Sequence, residues 1–112
     1  MDNCLFCKIA EKKIPAEIVF ENEELAAFKD ISPQAPVHIL IIPKVHISTP
    51  ADINEANSAI AGKIIAAASE IAKQNKLEGY RLVFNCNESA GQSVFHLHAH
   101  LLGGRAMNWP PG

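Results

Sequence analysis

Three histidines at alternate positions, His96, His98 and His100, precede Leu101-Leu102-Gly103-Gly104-Arg105 near the end of a chain of 112 residues. A neutral imidazole is a good nucleophile toward phosphorus: one ring nitrogen attacks while a hydrogen bond at the other fixes the tautomer. Ser93, just upstream, could give a proton to a leaving group, and the amides of Gly91-Gln92-Ser93 could hold phosphate oxygens as a backbone nest. The same spacing also suits other chemistry. Two histidines at i and i+2, with a third ligand from elsewhere, can hold a catalytic zinc. A histidine-rich pH switch is a further alternative, but it gives Gly91-Gln92-Ser93 no role. Three satisfied core or surface histidines are the plainest alternative, and period two on one face argues against them. Spacing alone leaves nucleophilic attack and metal binding close to level.

A second group of candidates lies at the other end of the chain. Cys4-Leu5-Phe6-Cys7 has zinc-knuckle spacing, but a structural zinc takes four ligands, and only His46 and His96 are spare candidates for the other two. The competing reading is a pair of small buried thiols on a short helix. Cys86 stands alone and reads as a core or strand-end residue. An odd cysteine count in a cytosolic chain suggests reduced thiols or metal ligands before a disulfide.

These residues need elements to position them. Cys4 to Lys13 is predicted as a short helix, stopped by Ile14-Pro15. Glu17–Glu21 and Leu25–Asp30 read as strands, Ser32-Pro33-Gln34-Ala35-Pro36 as a turn, and Val37–Pro43 as a largely buried strand. Asp52–Leu77 is predicted as the one long helix, with Ile53, Ala56, Ile60, Ile64, Ala67 and Ile71 forming its apolar stripe. Thr49-Pro50-Ala51-Asp52 offers a capping start and Gly79 lies past the end. Tyr80–Cys86 reads as a strand, Asn87–Gly91 as a polar loop and Phe95–Leu102 as the last strand. On that strand the three histidines share one face, about 7 Å apart at Cα, while Phe95, Leu97, Ala99 and Leu101 face the helix. His38, near the start of its strand, could join the row if the two strands pair. The arrangement is an α+β domain whose antiparallel sheet carries the long helix on one face.

Bulk properties exclude several classes. A formal net charge of −2 exerts no general pull on nucleic acid. No apolar run approaches the roughly 20 residues that span a membrane. Met1-Asp2-Asn3-Cys4 lacks the basic and apolar regions of a secretion signal, so a cytoplasmic location is the expectation.

The run from Gly91 through His96-Leu97-His98-Ala99-His100 to Arg105 resembles the signature of the histidine-triad (HIT) superfamily. Phe28-Lys29-Asp30-Ile31-Ser32-Pro33-Gln34-Ala35-Pro36-Val37-His38 and Ile42-Pro43-Lys44-Val45-His46-Ile47-Ser48 are similar to that family too. The ending Trp109-Pro110-Pro111-Gly112 is similar to its Hint branch, the nucleoside phosphoramidases. The resemblance covers nearly the whole chain, read as one HIT domain over residues 1–112. It implies an antiparallel five-stranded sheet with one long helix and a short N-terminal helix, forming a homodimer with a continuous sheet.

The implied activity is hydrolysis of purine nucleoside 5'-phosphoramidates, of the AMP or GMP type, through a nucleotidyl-histidine. By the resemblance His98 would be the nucleophile, His38 and His100 the proton relay, and Ser93 the assistant to amine departure. Asp30 would bind the ribose, Ile31 the base, and Asn85, Gly91, Gln92 and Ser93 the phosphate and 5' oxygen. Trp109 would lie near the partner's active site. Local alternatives stand beside these roles: Asp30 as a cap on the Ser32-Pro33 turn, Asn85 as a loop brace, Trp109 as a loose tail residue. Catalysis would need no cofactor. Some relatives with the N-terminal C-x-x-C resemble a Cys2His2 zinc arrangement; others lack the cysteines and bind no metal. Here the implied ligands are Cys4, Cys7, His46 and His96, a staple outside the chemistry that would withdraw His96 from the relay. Cleavage of dinucleoside polyphosphates is a weaker alternative, because that branch lacks Gly103-Gly104-Arg105 and the Trp109 ending. A nucleotide-binding regulatory protein with incidental catalysis, and a zinc hydrolase using the histidine row, stay open.

Overall fold

The run Val37–Pro43 is rich in β-branched residues and has almost no polar interruption, as expected of a strand covered on both faces. In the computed structural model, which describes residues 3–112, it forms β3 at the centre of a five-stranded sheet ordered β1-β2-β3-β5-β4. Its companions are β1 (Ile18–Glu21), β2 (Leu25–Lys29), β4 (Tyr80–Val83) and β5 (Ala99–Gly103), and all the pairings are antiparallel. Two helices complete the fold: α1 (Leu5–Ala10) and α2 (Ala59–Gln74). Met1 and Asp2, on which the reading of the start of the chain partly rests, lie outside the described residues. Among the described residues no helix is long and apolar enough to cross a membrane.

Register decides which side chains meet. On β3 and β5, Ile39 faces Leu101 and Ile41 faces Ala99; these four, with Leu97, pack beneath Ile60, Ile64, Ala67 and Ile71 of α2. Ile64 is wholly buried there, so Ile64→Ala costs about 2–5 kcal/mol through lost transfer energy and the cavity left behind. On the opposite face Leu40 pairs with His100 and His38 with Leu102, which makes His38 and His100 diagonal neighbours. That second face is covered by α1, whose Phe6 and Ile9 join Ala26, Phe28, Leu40 and Ile42 in a separate apolar cluster. The sheet is therefore covered on both faces, not on one.

Several element boundaries differ from the sequence expectation: β4, for one, ends at Val83 rather than Cys86. The long helix starts at Ala59 rather than Asp52. The Thr49 capping box forms, with Thr49 Oγ1 accepting from the Ala51 amide and Asp52 Oδ2 from the Thr49 amide, but it caps only a 3-10 turn over Pro50–Asp52. Ile53 is then extended, and the Asn54 and Asn57 side chains take backbone donors that would otherwise propagate a helix. Ile53 still packs on the core while Ala56 is exposed. At the far end Lys76, at φ 55°, takes the left-handed position and the Leu77 amide bonds Ala72, so the helix closes before Gly79. Helix α1 similarly ends at Ala10, short of Lys13, with Lys12 at φ 62°.

The last strand starts at Ala99, not Phe95, so His96 and His98 precede it. Phe95 is 41% exposed and does not join the α2 core. Glycine is favoured at the end of β5 and just beyond it. A Cβ on Gly103 would lie 2.6 Å from Leu77 Cδ1, and Gly104, at φ 90°, would bring one within 2.9 Å of Pro36 Cβ.

Candidate active site

His38 comes from β3, His100 from β5, Asp30 from the residue after β2, and His98 from the segment leading into β5. Their ring protons can be assigned from partners that can only donate or only accept. The Gln34 amide donates to His38 Nδ1 at 3.0 Å, so the neutral His38 ring carries its proton on Nε2. That proton faces His100 Nδ1 at 2.9 Å, with Asp30 Oδ2 at 3.4 Å from the same nitrogen. His100 then accepts at Nδ1 and carries its own proton on Nε2. His98 Nδ1–H donates to the His96 carbonyl at 2.7 Å, which leaves the lone pair on Nε2. Phe6 stands edge-on to His98 at 5.0 Å, as His98 does to His100.

Burial favours the neutral rings. It pushes His98 below the ordinary imidazole value, and pushes His38 down against the opposing pull of the Asp30 carboxylate. His100 falls to about 4, through burial first and then the charges of its His98 and His38 neighbours. At neutral pH the three rings are uncharged: the Gln34 amide, His38 and His100 form one hydrogen-bonded chain, and His98 stands beside it with Nε2 bare. The group borders a cavity of about 590 Å³ lined by Phe28, Leu40, Asp30, Ser93, His98 and His100 among others. That volume lies within the range of small-ligand sites. A concavity of about 560 Å³ beside the C-terminal tail, lined by Tyr80, Arg81 and Arg105, contains none of the histidines.

The structure brings some of the expected residues to this cavity and holds others back. Ser93 and the fully exposed Ile31 line it. Asp30 lines it as well, and its Oδ1 also accepts from the Ser32 amide at 2.7 Å, so it caps the turn while its other oxygen faces His38. Asn85, Gly91 and Gln92 are not on the wall. The amides of Gly91 and Gln92 donate to Glu88 and Asn87 inside their own loop, so the expected nest is not formed by them. The Gln92 side chain is buried and spends its groups on the Asn87 amide and the Ser48 and Val94 carbonyls. Trp109 is 82% exposed, on a tail held by the Arg81 guanidinium donating to the Asn108 carbonyl. Phe6 and Gln34 are among the residues at the site that the sequence reading did not anticipate, as are Phe28 and Leu40 on the cavity wall. The i, i+3 spacing of Phe6 and Ile9 on α1 was the available signal for Phe6; a backbone donor such as Gln34 leaves none.

The third triad histidine belongs to a different group. His96 Nε2–H donates to the Pro43 carbonyl at 2.7 Å, which turns its Nδ1 lone pair toward Cys4 Sγ at 3.2 Å and Cys7 Sγ at 3.5 Å. His46 Nδ1 lies 3.4 Å from Cys7 Sγ. The four candidate ligand atoms of Cys4, Cys7, His46 and His96 all lie within 4.8 Å of one another. A tetrahedral centre with Zn–S of about 2.3 Å and Zn–N of about 2.1 Å separates S from N by about 3.6 Å, so this donor set fits zinc. Burial pushes the Cys7 thiol up to about 11, with the Cys4 side chain adding to it, so a metal would have to displace its proton.

A catalytic zinc on the histidine row does not fit. His96 Nδ1 points at the cysteines and His100 Nδ1 at His38, and among the described residues the ligand atoms of His96, His98 and His100 do not gather around one point. Asp30, His38 and His100 are also close enough to share an ion, but the Gln34 amide keeps the His38 proton on the nitrogen that would have to ligate.

A family model described as "Scavenger mRNA decapping enzyme C-term binding" matches residues 3–109. A HIT family hydrolase from Legionella pneumophila superposes with a TM-score of 0.96 at 55% identity, covering 98% of this chain and all of that one. A 14 kDa zinc-binding protein of Zea mays is 52% identical over 96% of this chain and 87% of its own length. Adenylylsulfatase HINT1 of Arabidopsis thaliana is 48% identical over 96% and 76%. With the whole sheet, the paired His38 and His100 and these relatives in view, the chain belongs to the histidine-triad superfamily.

Proposed function

We propose that this protein hydrolyses purine nucleoside 5'-phosphoramidates through a nucleotidyl-His98 intermediate. The observation that carries the reading is the 2.7 Å bond from His98 Nδ1–H to the His96 carbonyl, which leaves Nε2 as the free nucleophile beside the cavity. Nε2 attacks the α-phosphorus and forms a P–N bond as the bond to the amine breaks. The departing nitrogen takes a proton from the Ser93 hydroxyl or the histidine relay. Water then attacks the phosphorus and gives its proton back to the group that protonated the amine, His98 leaves as neutral imidazole, and nucleoside monophosphate and amine are the products. His100 Nε2–H steadies a phosphate oxygen, His38 holds His100 in that tautomer, and Asp30 takes the ribose hydroxyls. The Ser93 backbone amide does the phosphate binding expected of the Gly91 and Gln92 amides, which are spent in the loop. The apolar wall, with Phe28 and Leu40, receives the base.

Cys4, Cys7, His46 and His96 hold a structural zinc that fastens the N-terminus to the core and takes no part in bond making. The protein works as a homodimer joined along β4, which has a sheet neighbour on one side only; sedimentation at the single-chain mass would exclude this.

The test is release of AMP from adenosine 5'-phosphoramidate, with a rapid quench to detect one nucleotidyl group on His98 by mass. Release that persists in His98→Ala sinks the mechanism. The name of the Arabidopsis relative motivates a second reading, adenosine 5'-phosphosulfate as substrate. Sulfate departs without a proton, so Ser93→Ala slows release from the phosphoramidate and spares the phosphosulfate.

A further inference from the structure

The Cys4, Cys7, His46 and His96 cluster touches both halves of the active site. One arm runs through His96. Its ring is held between the two sulfurs and the Pro43 carbonyl, and its own carbonyl accepts the His98 Nδ1–H bond. The other arm runs through His46, whose Nε2 meets Ser48 Oγ at 3.1 Å. The Ser48 carbonyl accepts from Gln92 Nε2 at 2.8 Å, and Gln92 Oε1 accepts from the Asn87 amide at 2.8 Å. Gln92 Nε2 also reaches the Val94 carbonyl at 3.1 Å, so its side chain clamps both flanks of Ser93. The Leu97 amide donates to the Ile47 carbonyl at 2.6 Å and ties the arms together.

The sheet does not supply this support. His96 and His98 precede β5, so no ladder bond from β3 or β4 fixes them. Without a bound cation, thiol–imidazole contacts are the polar contacts on the sulfur side of the His96 ring, beside the edge-on packing of His46 and Phe6, and S–H is a weak donor.

We infer that a divalent metal bound by Cys4, Cys7, His46 and His96 is the brace that sets His98 in its Nδ1–H tautomer and holds the Ser93 loop. His96 and Gln92 are then positioning residues, acting through His98 and Ser93. The inference rests on the zinc reading above and not on the choice of substrate.

The test compares zinc-loaded, chelator-stripped and Cys4→Ser/Cys7→Ser protein, each labelled with 15N in the imidazoles. Long-range proton–nitrogen correlation reads the His98 tautomer with no substrate present. Loaded protein should show Nδ1 protonated and Nε2 bare; stripped protein should move toward the Nε2–H form that an unconstrained histidine side chain prefers. In parallel, kcat should fall about 10- to 100-fold on stripping, the usual effect of losing support around a site, while KM changes little because the cluster does not line the cavity. Cobalt(II) loading, read by thiolate-to-metal absorption, reports occupancy independently of turnover. Unchanged His98 resonances and kcat on stripping overturn the inference, and so does cobalt that binds without thiolate absorption. If the double variant does not fold, stripped wild type and His46→Asn carry the same comparison. A tautomer change in a protein that releases no AMP in any state would instead sink the phosphoramidase reading alone.

Discussion

His96 and His98 are two residues apart, both buried, and their ring nitrogens are committed in opposite senses. His96 gives its Nε2 proton to a carbonyl and turns Nδ1 toward two sulfurs; His98 gives its Nδ1 proton to a carbonyl and keeps Nε2 bare. The residue type and the spacing are the same. The carbonyl each ring meets decides which nitrogen is free, and the neighbours of that nitrogen decide what it is free for. One centre is enclosed by Cys4, Cys7 and His46, with nothing left for a substrate. The other opens on a cavity and is backed by His100, His38 and Asp30.

The largest expected effect separates the two centres outright. His98→Ala should lower kcat/KM for adenosine 5'-phosphoramidate by about 10⁴-fold or more, as removal of a nucleophile does, while cobalt still gives its thiolate absorption. Loss of both readouts would mean that the centres are one structural unit. Next comes His38→Ala, expected to cost about 10²-fold in kcat, because His100 loses the donor that fixes its tautomer. An unchanged kcat would remove the relay from the mechanism.

A pH profile sharpens the contrast further. Neutral His98 and His100 are the working forms, and both are lowered by burial, His100 to about 4. The acid limb of kcat/KM should therefore lie below 6.5, the ordinary imidazole value. Stability follows with a definite sign. Between the lowered folded value and 6.5 the unfolded chain binds more protons, so the His100 contribution to stability falls as pH drops through that window and is lost by about 4. Urea midpoints that rise on acidification would contradict it. The smallest effect is expected at the turn behind the relay. Gly104→Ala should cost about 1–2 kcal/mol, since φ is 90° and Pro36 blocks the new Cβ. A thermal melt measures that loss. The Arg105 side chain donates to the Gln34 carbonyl, so kcat should fall modestly with it.

Much of this was readable before any coordinates. The run 37–43, rich in β-branched residues, reads as a buried strand, and the period of Ile60, Ile64, Ala67 and Ile71 as one face of a helix. The helix start was misplaced because Thr49-Pro50-Ala51-Asp52 is a sound capping sequence on its own terms; Asn54 and Asn57 then drew off the donors that continuation required. The strand start was misplaced because alternation continues through Phe95–His98 although no partner strand is there to pair. Gly91 and Gln92 have the composition of a phosphate loop, and only the loop's internal bonds reveal that their amides are already used.

The sequence by itself determined the chemical inventory: four histidines and an acid able to form a relay with a nucleophile, and a cysteine pair able to begin a metal centre. Residue type sets pKa range and donor capacity, and those properties are local. Tertiary structure alone decided the division of labour. A ring nitrogen is a nucleophile, a relay or a ligand according to what lies within about 3 Å of it, and those partners, Pro43, Gln34, Cys4 and the His96 carbonyl, come from distant parts of the chain or from backbone atoms that carry no signature in sequence.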